Sequence, residues 1–460
     1  MLTYSFEHED KPMYEYLYEC IKNDIIHQKI QPHEKLPSKR AFAKNQNVSL
    51  ITVENAYHQL LLEGYIYAKE RKGYFVSELH YPHYISHHTP NFSSIPQQNY
   101  RIDLKSNTVA SSQFPFSTWS KITRQILSSQ SQELLSRSPN QGCDSLRRAI
   151  CLHLYAFCGM NVLPEQIIIG AGSEYLYNLV IQLLGHDKIY ALENPGHQSI
   201  SKVYHINHVT YHPIPLDSQG IDMKNLYVSQ AQIVHISPQH HFPTGITMPI
   251  QRRLELLKWA QNDHYIIEDD YDSEFRMRGK PLSPLFQIDQ NERVIYMNTF
   301  SKTLAPSFRI SYMILPAHLV EIFQQKLGFY ACSVSLLEQV ILAKFIEDHH
   351  FEKHINRMRN YYKSIRDAFL SQLSQSPVFS KIQITEENAG LHFLLHYSLA
   401  DSDQTILKKA QEIGLNISML SQFYHQPQDL HTLVINYSGL ALEDIPIAME
   451  LLCQLLDEKY

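Results

Sequence analysis

No stretch of 18 consecutive apolar residues occurs in this 460-residue chain, so no hydrophobic helix of membrane-spanning length is expected. The opening segment MLTYSFEHEDKP is acidic and has no apolar core, so no signal peptide is expected. Cysteine is sparse and scattered (Cys20, Cys143, Cys151, Cys158, Cys332, Cys453), with no C-x-x-C pair. That pattern argues against a disulfide framework or a zinc site and points to a reducing, cytoplasmic setting. An excess of basic charge is missing too. The net charge is −6, so any nucleic-acid contact must come from a local patch. Arginine stops at Arg366. Histidine is plentiful, 26 residues, but its pairs (His87-His88, His240-His241, His349-His350) lack a consistent ligand spacing, and no metal is expected.

What remains is a globular composition, 44% hydrophobic and 19% charged, on a chain too long for one ordinary domain. Three regions separate. Residues 1–78 show a helical pattern that ends in a short β pattern. Residues 79–100, rich in Pro, Ser, His and Asn without helical or strand period, read as a linker. From 101 to 460, short apolar runs (QIIIGAG, KIYALENPG, QIVHISP, HYIIEDDYD, RVIYMNTFSK) alternate with helix-length segments. That alternation predicts an α/β body with a mostly parallel sheet.

In the first region Tyr14, Leu17, Tyr18, Ile21 and Ile25 recur at helical spacing. LPSKRAFAKNQN predicts a short helix capped by Ser38. VSLITVENAYHQLLLEG predicts a second, capped by Ser49, closed by Gly64 and apolar along Ala56, Tyr57, Leu60 and Leu61. YIYAKERKGYFV predicts a hairpin around Gly73. Three helices and a hairpin make a winged helix-turn-helix. LPSKR, VSLITVENAY, EGYI and the basic turn before GYFV resemble the GntR family of bacterial transcription regulators over residues 12–76. The resemblance implies that double-stranded promoter DNA is met by Ser38, Lys39, Arg40, Ser49, Thr52 and Tyr57, with Arg71 and Lys72 on the wing. Lys29, Lys35, Lys39, Arg40 and Lys44, opposed only by Glu34, would supply phosphate contacts. The chain departs from the family at Leu50, where an arginine is usual.

In the body, NTFSKTLAPSFR places Lys302 after an apolar run, among hydroxyls and seven residues before Arg309. A lysine amine can form an imine with an aldehyde. If that aldehyde is pyridoxal 5'-phosphate, its phosphate needs hydroxyls, a helix start and a cation; its ring nitrogen needs a carboxylate; its ring needs a flat face. Gly172, Ser173, Thr299, Ser301 and Arg309 are the phosphate candidates. Asp269 suits the ring nitrogen, Tyr271 the phenolic oxygen and His197 the ring face. His240 or His241 is a further hydrogen-bond candidate.

The order of GAGS, ENPG, SPQHHFPTG, EDDYD and SKTLAPSFR resembles the aspartate-aminotransferase-like fold of pyridoxal-phosphate enzymes (fold type I). It implies a Schiff base at Lys302 and a smaller C-terminal α+β subdomain at about 340–460. A GntR-type head on such a body resembles the MocR subgroup, which implies a head-to-tail homodimer. A working aminotransferase holds its substrate carboxylate with an arginine late in the chain. The matching stretch here, LVINYS, has Val434 at that place, and Phe242 stands where enzymes have asparagine. The leading expectation is a cytoplasmic, non-enzymatic regulator that senses pyridoxal phosphate and controls vitamin B6 synthesis or uptake. The alternatives are a sensor of an amino compound such as γ-aminobutyrate or taurine, and a genuine aminotransferase.

Overall fold

The computed structural model describes residues 4, 11–79, 100–106, 109–129, 132–261, 263–277, 279, 282–387, 390–426 and 428–457. The chain forms two compact units, residues 1–97 and 98–460. The predicted linker at 79–100 lies almost wholly outside the described residues.

The first unit, the head, contains α1 (Met13–Ile26), α2 (Lys39–Gln46), α3 (Leu50–Leu62), β1 (Ile66–Lys69) and β2 (Gly73–Val76). α1 buries Leu17, Ile21 and Ile25, one side of a helix. Ser38 caps α2 by accepting from the Ala41 amide at 3.2 Å, and Ser49 caps α3 by accepting from Thr52 at 3.1 Å. Each bond satisfies an amide that the helix start leaves unpaired. α3 turns Val53, Ala56, Tyr57 and Leu60 inward, and Gly64 follows it at φ 78°. β1 and β2 pair antiparallel, Ile66 opposite Val76, with Arg71 and Lys72 exposed in the turn.

The second unit, the body, begins with β3 (Ile102–Asp103), α4 (Phe116–Ser129) and α5 (Asp144–Cys158). Then come β4 (Ile167–Gly170), α6 (Ser173–Leu184), β5 (Tyr190–Asn194), α7 (Gln198–Ile206), β6 (Tyr211–Asp217) and β7 (Gly220–Ile221). β8 (Ile233–Ile236), β9 (Tyr265–Asp270), β10 (Val294–Thr299) and β11 (Ser311–Ile314) complete one sheet. Among the described residues its order is β4-β11-β10-β9-β8-β5-β6-β7. The pairs β10–β9, β9–β8, β8–β5 and β5–β6 are parallel; β11 runs against both its neighbours and β7 against β6. The sheet is buried on both faces. Ile167 and Ile169 enter one core and Ile168 the other, as strand alternation requires.

The later chain adds a four-stranded antiparallel sheet of β12 (Ile382–Thr385), β13 (His392–Tyr397), β15 (Ser418–Met419) and β16 (Thr432–Asn436), while β14 (Leu415–Asn416) pairs with β3. No helix among the described residues is long and apolar enough to cross a membrane. Among them, no group of three His, Cys, Asp or Glu side chains is placed to hold a metal ion.

Candidate functional site

Chemistry gathers at the carboxyl ends of the parallel strands, where such sheets leave a crevice. A cavity of about 700 Å³ lies there, with Ser173 after β4, His197 after β5, Asp269 and Tyr271 at the end of β9, and Lys302 after β10 among its walls. Lys302 is half-buried. Desolvation pushes its amine down to about 8, against the opposing pull of the Asp272 carboxylate. A minor fraction of the amine is therefore neutral and nucleophilic near physiological pH, larger than for a free lysine.

Asp269 is 7% exposed. It accepts the Tyr177 hydroxyl at 2.5 Å, and His235 Nε2 lies 3.7 Å away. His235 meets the Tyr204 hydroxyl through Nδ1 at 2.9 Å, and its buried Nε2 makes no hydrogen bond. The Tyr177 hydroxyl thus holds the carboxylate at the cavity wall, with the His235 ring beside it.

Thr299 Oγ1 gathers the hydroxyl of Ser311 at 2.8 Å and the amide of Ser301 at 3.1 Å, and donates to Ser301 Oγ at 3.0 Å. Arg309 reaches across to Glu174 at 2.7 Å, both side chains half-exposed. Gly172 precedes α6 at φ +94°, and a Cβ there would collide with the Arg309 guanidinium. The positive φ favours glycine there, whereas the guanidinium, at the end of a flexible and half-exposed side chain, can move aside. Hydroxyls, the first amides of α6 and a guanidinium therefore converge, which is the equipment of a phosphate site.

His197 caps α7, accepting from the Ser199 amide through Nδ1 at 3.3 Å. Burial holds its pKa below the usual histidine value. Its ring lies 5.8 Å from Phe242. Glu193 accepts from the Ser237 amide at 2.8 Å, and burial pushes it up to about 8. Its neighbour His241, 3.5 Å away, is pushed down to about 3 by burial. Both are then uncharged at pH 7, so this is a contact between neutral groups and not an ion pair.

The gntR family of bacterial regulatory proteins matches residues 13–76. The chain is 38% identical over 441 residues to the uncharacterized HTH-type transcriptional regulator YdeL of Bacillus subtilis, covering 95% of each. It is 28% identical to the probable rhizopine catabolism regulatory protein MocR of Rhizobium meliloti, covering 94% of this chain and 91% of the relative. The same identity, 28%, relates it to the pyridoxine biosynthesis regulator PdxR of Corynebacterium glutamicum, covering 91% and 90%. The chain belongs to the MocR-type subgroup of GntR-family transcription regulators. The fold of its body is that of the kynurenine aminotransferase of Pyrococcus horikoshii, TM-score 0.70 at 24% identity, covering 79% of this chain and 92% of that one. This MocR-type protein is a transcription regulator built on an aminotransferase-like frame.

Two of the expected positions in this regulator need correction. Tyr57 does not face outward: it is fully buried, donates to the Pro37 carbonyl at 3.0 Å and packs on Tyr74 at 5.2 Å. An aromatic at the junction of α3 and the hairpin gains more from the core than from solvent. His240 does not line the Lys302 cavity; His241 does. His240 is held by Asp272 at 2.8 Å and reaches the Tyr271 hydroxyl at 3.3 Å, so it stands behind Tyr271. Ser38, Arg40, Ser49, Arg71 and Lys72 are exposed, and Lys39 and Thr52 partly so. Lys39 contacts Glu54 at 3.4 Å and lies over the Tyr74 ring.

Val434 and Phe242 come together in the MocR-type body. Both line the cavity, and they join Leu394, Leu420, Phe423 and Tyr424 in one apolar cluster. Sequence reasoning missed Tyr177, His235 and Glu174. A histidine inside the otherwise apolar strand IVHI was a readable signal for His235.

Proposed function

We propose that this MocR-type chain binds promoter DNA through its head and responds to pyridoxal 5'-phosphate held at Lys302. When bound, pyridoxal phosphate supplies an aldehyde for a lysine amine, a phosphate dianion and a basic ring nitrogen. The described residues fit each group. Burial keeps part of the Lys302 amine neutral and nucleophilic. Asp269, fixed by Tyr177, would hold a proton on the ring nitrogen. Tyr271 would meet the phenolic oxygen, and His197 would lie on the ring face. Ser173, Thr299, Ser301, Arg309 and the amide after Gly172 would take the phosphate.

The observation that carries a sensing role is the apolar wall of Val434, Phe242 and Phe423. An amino-acid carboxylate placed against it would lose its hydration without gaining a cation. Amino acids are then poor competitors for the site, and occupancy would report the cofactor's own concentration. With the PdxR relative, this supports vitamin B6 synthesis or uptake as the regulated process. A cytoplasmic head-to-tail homodimer would present two heads to paired half-sites.

A second reading keeps the site and makes an amine the signal. It is favoured by Lys105 and Lys202, which also line the cavity and offer partners to an anionic tail. Purified protein mixed with pyridoxal phosphate should develop a visible absorbance band. Borohydride reduction followed by peptide mapping should place the added mass on the Lys302 peptide. Colour that survives in Lys302→Ala rejects the site. A spectral response to γ-aminobutyrate or taurine favours the second reading, and sustained keto-acid production contradicts both.

A further inference from the structure

The helix expected to enter DNA, α3, reads LITVENAYHQLLL and contains no lysine or arginine. Its inward side is settled by Val53, Ala56, Tyr57 and Leu60. Ile51, Asn55 and His58 are exposed at i, i+4 and i+7 on the opposite side. At the first turn Leu50 is 39% exposed and Ile51 67%. Two branched apolar side chains thus stand at the helix start, where a recognition helix meets base edges. Basic groups stand on the neighbouring helix: the Lys39–Glu54 contact at 3.4 Å sets the start of α2 beside the first turns of α3, and Arg40 and Lys44 on α2 are exposed.

We infer that α3 reads A·T pairs through the C5-methyl groups of thymine, with Leu50 and Ile51 as the reading side chains. This rests on the head being DNA-binding. In the major groove, thymine alone among the four bases offers an apolar group. Guanine is most often read by a bidentate arginine or lysine, and α3 has neither. Glu54, which could accept from cytosine N4, is turned to Lys39. Asn55, one turn beyond Ile51, has the amide that suits adenine N6 and N7. Phosphate contacts, which give affinity but no sequence, would come from Arg40, Lys44, Arg71 and Lys72.

The test uses the full-length protein and duplexes enriched by it from a randomised library. Each thymine of an enriched duplex is replaced singly by deoxyuridine, which lacks only the methyl group. At one or more positions per half-site, affinity should fall about three- to fivefold, the loss of one buried methyl contact. Ile51→Ala should bring that thymine-over-uracil ratio to about one at its position, while Ile51→Val keeps most of it. Neither change should alter the slope of affinity against salt. Arg40→Ala should reduce that slope and keep the ratio. Ile51 is mostly exposed, so its truncation leaves the head folded, which a thermal melt of each variant checks. Enriched duplexes indifferent to deoxyuridine at every position overturn the inference while leaving DNA binding intact. Failure to enrich any duplex removes the DNA-binding reading and this inference with it.

Discussion

Lys302 differs from an ordinary surface lysine because its ammonium form has lost hydration. Burial disfavours the charged state, so the amine becomes neutral at about 8 rather than at the 10.5 usual for a lysine. The initial rate of pyridoxal phosphate capture should therefore rise with pH, level off above about 8 and fall below it as the amine protonates; stopped-flow absorbance gives the profile. A profile still climbing at pH 10 contradicts the burial argument. Val434→Arg places a guanidinium on the apolar wall. It should strengthen spectral responses to α-amino acids by about tenfold or more, the scale of a charged hydrogen bond, and lower the melting temperature because the arginine is largely buried. Lys302 and Asp269 stood out as candidates because one follows and the other ends an apolar strand, where a charged group needs a reason. Tyr177 did not, since it meets Asp269 from 92 residues away. Adjacent histidines in one turn gave no sign of which faces the cavity; backbone bonds of His241 with Gly245 and Ile246 set that.

Among the elements, the caps of the head were written in single serines. Ser49→Ala should destabilise the head by about 1 kcal/mol, visible in denaturant unfolding, and weaken DNA binding through fraying of the first turn of α3. At the end of β5, Glu193 has a folded pKa of about 8, raised from 4.5 by burial. A raised carboxyl stabilises the fold fully below its unfolded pKa, and that contribution is lost as pH rises through the folded value. The wild-type body should thus lose stability between pH 5 and about 8 more steeply than Glu193→Gln, as scanning fluorimetry across buffers would show. The alternation of strands and helices made an α/β body legible. The antiparallel insertion of β11 between β4 and β10 was not, because local periodicity carries no information about which strand pairs with which.

For the whole molecule, head and body have separate cores: Leu17, Phe42, Tyr57 and Leu60 in one, and the clusters flanking the large sheet in the other. Calorimetry should resolve two unfolding transitions. Pyridoxal phosphate at a hundredfold excess over its dissociation constant should raise only the body's, by about 2.7 kcal/mol. A ligand that raised both equally would mean one cooperative unit. The Arg309–Glu174 contact bears on what such a ligand must be. Half-exposed and single, the pair holds with no more than about 1 kcal/mol, so a dianion can exchange for the carboxylate. Unphosphorylated pyridoxal brings no counter-ion to exchange and should bind about tenfold more weakly or worse. The body would then answer to the vitamin only after a kinase has marked it, making the product of that phosphorylation, and not the imported vitamer, the signal delivered to the promoter.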